Sequence, residues 1–202
     1  MASTAGKIDI YNMALGFIGT RTVASPDENT PEAIQCSLYW DRARRTALRD
    51  YPYRFALQRI KLPLLADAPE VYDEQWKCVY SQPDKCLKVH SVYAGRDYAH
   101  KARFQVERCS LGNVILTDVE QAVALCTIDE EDLSLWDELF VLVMARKLAS
   151  LVAIPLLKNN SSKLQELENM YQAAVPRAEG HDASEGREYQ PVDSWLQARE
   201  VW

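Results

Sequence analysis

The sequence predicts a mainly α fold with a β insertion: a four-helix bundle core, a small antiparallel β lobe between the second and third helices, and an extended C-terminal arm. Three observations lead there. Apolar residues recur at helical spacing near both ends of the chain, over 7–18, 31–50, 133–154 and 161–175. Between about 62 and 130 the pattern changes to short β-branched or aromatic runs separated by Pro-Asp, Gly-Arg and Gly-Asn. After Pro176 the chain becomes polar and Gly-containing, yet it ends in large apolar residues. The order helix, helix, strands, helix, helix closes two helical hairpins into one bundle with the sheet projecting from it. The expected division is 1–60 for the first helical pair, 61–130 for the β lobe, 131–183 for the second pair and 184–202 for the arm. No internal repeat is apparent.

Each element has a local reason. Residues 7–18 place Ile8, Tyr11, Ala14 or Leu15, and Ile18 on one face, and Gly19 suits the C′ stop. The loop "TVASPDENTPEAIQ" ends in a start signal: Thr30 is a good N-cap, Pro31 fits the first helical position, and Glu32 meets the positive end of the macrodipole. The helix that follows runs to about Asp50, because Pro52 disfavours a helical Tyr51. Its apolar face is Ala33, Cys36, Trp40, Ala43 and Ala47, while Arg42, Arg45 and Arg49 line another side. Strands are expected in "KCVYSQP", "CLKVHSVYAG", "ARFQVERCS", "NVILTD" and "AVALCTI", four or five in all. "DEEDLSLWDELFVLVMARKLASLVAI" returns to helix, capped by Asp132 or Ser134 and limited by Pro155 to within a turn of Ile154. The last helix has Ser161 or Ser162 as cap and a packing stripe of Leu164, Leu167, Met170 or Tyr171, and Ala174.

Composition narrows the class. The 202 residues are 48% hydrophobic and 26% charged, close to a globular average. A net charge of -6 argues against a general nucleic-acid coat, which needs a positive balance. Five cysteines, at 36, 78, 86, 109 and 126, form an odd set and are read as reduced, mostly buried small hydrophobes in a cytosol. A zinc site from Cys78, Cys86, His90 and His100 is conceivable, but the cysteines lack a close ligand pair, and no metal or cofactor is expected. The N-terminus has one lysine and is cut by Asp9 and Asn12, unlike a signal peptide. The longest apolar run, 133–157, is interrupted by Asp137, Glu138, Arg146 and Lys147, so no membrane partner is expected.

Residues 36–62, "CSLYWDRARRTALRDYPYRFALQRIKL", hold six arginines among three tyrosines, a tryptophan and a phenylalanine. Basic residues among aromatics suit a nucleic-acid binder. They also suit a helix that packs on one side and docks on the other. The arginine stripe has three readings: a solvated or intramolecularly paired face, pairing between subunits with the acidic patch Asp129, Glu130, Glu131 and Asp132, or contact with DNA. The aromatics Tyr39, Trp40, Tyr51, Tyr53 and Phe55 are read as core.

The N-terminal third carries a fuller pattern. It reads Asn12, Ala14, Leu15, Ile18 and Gly19, then a Ser/Asp-rich loop, then Ala33, Cys36, Trp40, Arg44 and Leu48, then Pro52, Tyr53, Phe55 and Ala56. This resembles the N-terminal signature of tailed-bacteriophage tail adaptors, also called head-to-tail connector or tail tubular proteins. In that family Tyr is commoner at the Trp40 position and Trp at the Tyr53 position. "YSQPDKCLKV" and "LWDELFVLVMARKLASLVAIPL" resemble later parts of the family more loosely, and the resemblance covers about residues 8–175. Leu15, Gly19, Cys36, Trp40, Leu48 and Phe55 are thereby expected to be motif core.

The resemblance implies a structural protein of the virion at the head-tail junction, made in the host cytoplasm. Such adaptors form a homo-oligomeric ring, typically of twelve copies, beneath the portal protein. They extend the channel through which DNA passes and offer the other face to the tail nozzle or next tail component. It also implies that the C-terminal arm contacts the portal. Large apolar residues in that arm, Tyr189, Trp195, Leu196, Val201 and Trp202, are of the type that anchors interfaces.

Two other classes are weighed against it. One is a helical nucleic-acid-binding module involved in DNA packaging, which would use Arg42, Arg45 and Arg49. The other is a virion-associated cell-wall hydrolase using a pair of carboxylates such as Glu130 and Glu131. Adjacent acids before a helix more often serve its N-terminus. The chain has no Gly-x-Ser-x-Gly, phosphate loop or His-Glu-x-x-His, and His90, His100 and His181 are scattered. No catalytic residue is expected.

Overall fold

The computed structural model describes residues 5–65, 75–95, 97–157 and 161–184. In chain order the elements are α1 (Lys7–Ile18), α2 (Pro31–Asp50), β1 (Leu57–Lys61), β2 (Cys78–Ser81), β3 (Cys86–Ala94), β4 (Asp97–Ala102), β5 (Phe104–Cys109), β6 (Gly112–Thr117), β7 (Ala122–Ile128), α3 (Glu138–Leu157) and α4 (Ser161–Ser184). Short 3-10 turns precede β1 (Arg54–Ala56) and α3 (Leu133–Leu135).

The expected mainly α four-helix bundle with a small lobe is corrected by this arrangement. Seven antiparallel strands form two sheets, ordered β1-β7-β3-β4 and β2-β6-β5, so the fold is α+β. Two strands escape the sequence pattern. β1 follows α2 after a single 3-10 turn, crossing the expected boundary at 60, and pairs along β7 from Leu57↔Thr127 to Lys61↔Val123. β4 is the polar run Asp97–Ala102, held only at the edge of β3. Neither carries the apolar alternation that marks a strand.

The helices do not pack as four equals either. α3 is the hub, with α1, α2 and α4 each laid against it, while α1 and α2 scarcely touch. That follows from composition: α3 is apolar on most of its circumference, burying Phe140, Val141, Val143, Met144, Ala145, Leu148, Ala149, Val152 and Ala153. A helix that is apolar nearly all round must be covered on several sides. α3 is the one described helix long and apolar enough to cross a membrane, and it is largely buried inside the protein.

Helix ends mostly follow the local signals. Gly6 N–H donates to Asp9 Oδ2 (2.8 Å) at the start of α1. Gly19 closes it with φ 83°, while Thr20 N–H donates to Leu15 O (3.1 Å), the six-to-one bond of a Schellman end. Thr30 Oγ1 accepts from Ala33 N–H (3.4 Å) at the start of α2, and Tyr51 is extended before Pro52, as predicted. The cap of α3 is corrected. Asp132 instead accepts from Ser134 N–H (2.9 Å) in the 3-10 turn, and Asp137 Oδ1 accepts from Phe140 N–H (2.7 Å) at the helix itself. The extended Trp136 between them turns its ring into the core. α4 runs past Pro176, which lacks the N–H that would bond the carbonyl of exposed Gln172.

Three apolar cores result. The helical core contains a chain of rings: Tyr11 meets Trp40 edge-on, Trp40 stacks on Trp136 (6.1 Å, 16°), Trp136 meets Phe140, and Phe140 meets Tyr53 and Phe55. A second core lies between the sheets, from Leu62, Tyr80, Cys86, Val92, Ile115, Ala124 and Cys126. There the Tyr80 hydroxyl ties one sheet to the other, donating to Val119 O (2.9 Å) and accepting from Ala122 N–H (3.3 Å). A small third core holds Val79, Val114 and Leu116.

Asn12 of α1 holds the start of the loop between α1 and α2, which Glu28 and the Arg21–Glu32 pair also tie down. Asn12 accepts from Val23 N–H (2.9 Å) and donates to Val23 O (3.1 Å), satisfying both backbone groups at once. Asn12→Ala strands two partly buried groups and should cost about 1–3 kcal/mol in denaturant unfolding. A loss below about 0.5 kcal/mol would mean that water replaces the amide without penalty.

Candidate functional site

The arginine face of α2 is the densest charged feature, and its centre is Arg44. Arg44 faces inward at 4% exposure, beside a carboxylate at 6%, Asp129, which directly follows β7. Its Nε donates to Asp129 Oδ1 (2.8 Å) and its Nη2 to Oδ2 (3.2 Å), a bidentate fork. Nη1 reaches Asp41 (2.9 Å), and Glu131 lies 3.5 Å from Nη2. Arg45 Nε donates to Asp129 Oδ2 (2.7 Å) from the solvent side. Burial pushes the Asp129 carboxyl up, but the hydrogen bonds from Arg44 and Arg45 outweigh it and hold the group below its ordinary 3.8. Burial likewise disfavours the Arg44 cation, and Asp129 more than restores it. The cluster clamps α2 to the junction of β7 and α3.

The stripe therefore divides. Arg45 finds its acidic partner within the same chain. Arg42 and Arg49 are exposed and make no ion pair among the described residues. Of the acidic patch, Asp129 is buried in the clamp, Glu130 accepts from Asp132 N–H (2.9 Å), Asp132 caps the 3-10 turn, and Glu131 lies beside Arg44. These acids hold backbone and guanidinium groups.

The motif residues come together. Leu15, Cys36 and Leu48 have no exposed surface, Trp40 is buried at 7%, and Phe55 is half-buried against the same helical core. Gly19 supplies the left-handed end of α1, and Asn12 holds the following loop. Burial pushes the Cys36 thiol up to about 12, so it behaves as a small apolar side chain. All five cysteines are free, and Cys109 alone is partly exposed.

Among the described residues no group of three or more His, Cys, Asp or Glu is placed to hold a metal ion. His90 Nε2 pairs with Thr127 Oγ1 (2.7 Å), and burial, then Lys88, lowers its pKa. Tyr189, Trp195, Leu196, Val201 and Trp202 lie outside the described residues.

Two surface features had no clear sequence signal. One is a shallow groove of about 450 Å³ along the start of α2, where Ile34 (49% exposed) and Leu38 (68%) face Pro26–Asn29. The other is a deeper cleft of about 450 Å³ where Arg49 meets Lys88 of β3 and Arg108 of β5. Three cations from separate elements converge there, a neighbourhood that no linear motif records. No protein-family model matches the chain, and no curated protein matches it.

Proposed function

We propose that the chain is a structural subunit of a tailed-bacteriophage virion, an adaptor that forms a ring between portal and tail and extends the DNA channel. The observation that carries this reading is the physical unity of the motif. Asn12, Gly19, Cys36, Trp40, Arg44, Leu48 and Phe55, which carry the resemblance, each have a distinct structural task in one connected unit of α1, α2 and the segment after it. Large apolar side chains on the surface, Ile34, Leu38, Leu64, Leu111, Leu135 and Ile154, suit a protein that covers them by assembly. The partners are other copies of the chain, a portal protein above and the next tail component below, with DNA passing transiently along the axis.

The two other classes have less support. A cell-wall hydrolase would need free carboxylates, whereas those of 129–132 are occupied in ion pairs and caps. A DNA-packaging module would need the whole stripe, whereas Arg45 is paired to Asp129.

In this reading the C-terminal segment anchors the subunit to the portal through Tyr189, Trp195, Leu196, Val201 and Trp202. Truncation before Gln190 is expected to abolish portal binding while the unfolding transition stays in place. Unchanged portal affinity in the truncated chain would remove the segment from the interface.

A further inference from the structure

We infer that the chain carries both halves of a contact between copies: the groove at the start of α2 on one copy seats in the cationic cleft at the end of α2 on the next. The inference rests on the ring reading above and names the faces that neighbouring subunits use.

The two faces are opposite in charge and alike in having an apolar centre. In the groove, Ile34 and Leu38 are exposed. Its rim carries Asp27 and Glu28, and no cation lines it. Glu28 is fixed at that rim, its carboxylate accepting from Ala24 N–H (2.8 Å). The cleft reverses the sign. It spans the end of α2, β3, β5 and Asn113 of β6, with Leu87, Val89 and Val106 as apolar walls. Arg49, Lys88 and Arg108 stand around those walls, and none of them makes an ion pair among the described residues. The acid in the lining, Glu107, accepts from Gln105 Nε2 (2.5 Å). Unpaired cations around an apolar wall, on a chain of net charge -6, complement an acidic surface with an apolar centre. A nucleic-acid backbone would meet the cations but leave Leu87, Val89 and Val106 uncovered.

The groove has the required composition, and the fold keeps it from the cleft of its own chain. Both faces include α2, and Ile34 and Arg49 are about 22 Å apart along that one helix axis. They can meet only between copies. A contact between two different faces is heterologous, so each copy offers one groove and one cleft, and repetition gives a closed ring or an open filament.

The test is sedimentation velocity of the full-length protein without portal, over rising concentration. Short oligomers are expected, and their association should weaken with salt. The variants R49Q/R108Q and D27N/L38S should each associate at least tenfold more weakly, with unchanged near-UV circular dichroism. Their equal mixture should recover the wild-type affinity but stop at dimers, because a mixed pair keeps one intact cleft and one intact groove. A wild-type chain that does not self-associate, a variant that associates like the wild type, or a mixture no stronger than its parts overturns the inference. Retention of an oligothymidylate through Arg49 and Arg108 by a wild-type chain that stays monomeric also overturns it, and assigns the cleft to nucleic acid. The ring reading is separable. It fails if the portal has no effect on a chain that self-associates, and it stands without this contact if the portal assembles both variants as it does the wild type.

Discussion

Asp129→Ala should lower the unfolding free energy by about 3–5 kcal/mol, the usual range for breaking a buried ion pair from one side. The substitution leaves the Arg44 guanidinium at 4% exposure with only Asp41 and Glu131 to answer it, and both of those side chains are mostly exposed. It also frees the junction after β7 from α2. The asymmetry of buried pairs sharpens the expectation: the double change Arg44→Met with Asp129→Leu should cost clearly less than either Arg44→Ala or Asp129→Ala alone. Arg45→Ala should cost under about 1 kcal/mol, because Arg45 is 56% exposed and its pair is screened. Acid has the same target. Since the folded Asp129 titrates below 3.8, its stabilisation is complete above about pH 4 and drains away as pH falls through the lowered folded value. Asp129→Asn should therefore flatten the acid limb of stability against pH. Equal costs for the single and double changes would show that the clamp does not behave as a buried pair.

The second large effect is Trp136→Ala, expected to cost about 3–5 kcal/mol. Trp136 has no exposed surface, stacks on Trp40 of α2 and meets Phe140 of α3 edge-on at 4.9 Å. Its removal opens a cavity where three segments meet, and rigid neighbours cannot collapse into it. Trp136→Phe should cost markedly less. It keeps a ring in place and removes an indole N–H that has no hydrogen-bond partner among the described residues. Guanidinium unfolding monitored by near-UV circular dichroism separates the two variants. A loss below about 1 kcal/mol for the alanine variant would mean that the aromatic chain does not hold the helices together.

These two residues show what local pattern can and cannot reveal. Both ends of α2 were legible, because Thr30, Pro31 and Pro52 act on their immediate neighbours. So was the end of α1 at Gly19, and so were the buried positions Leu167, Tyr171 and Ala174 of α4. The hub role of α3 was not, since an apolar run shows that a helix is covered but not by what. β1 and β4 were missed because "LQRIK" and "DYAHKA" owe their strand form to pairing with β7 and β3, not to their own alternation. With them went the mainly α class. Arg44 follows Trp40 by four residues and precedes Leu48 by four, so its spacing places it on the packed face, but its buried partner Asp129 lies 85 residues later and no local pattern reveals it. The cleft of Arg49, Lys88 and Arg108 was invisible for the same reason, being assembled from a helix and two sheets.

The adaptor reading itself turns on assembly. Sedimentation velocity of the purified chain, alone and mixed with the portal encoded in the same genome, addresses it most directly. The expected result is a slow species alone that shifts to a ring-sized complex with the portal. A chain that sediments identically with and without the portal contradicts it.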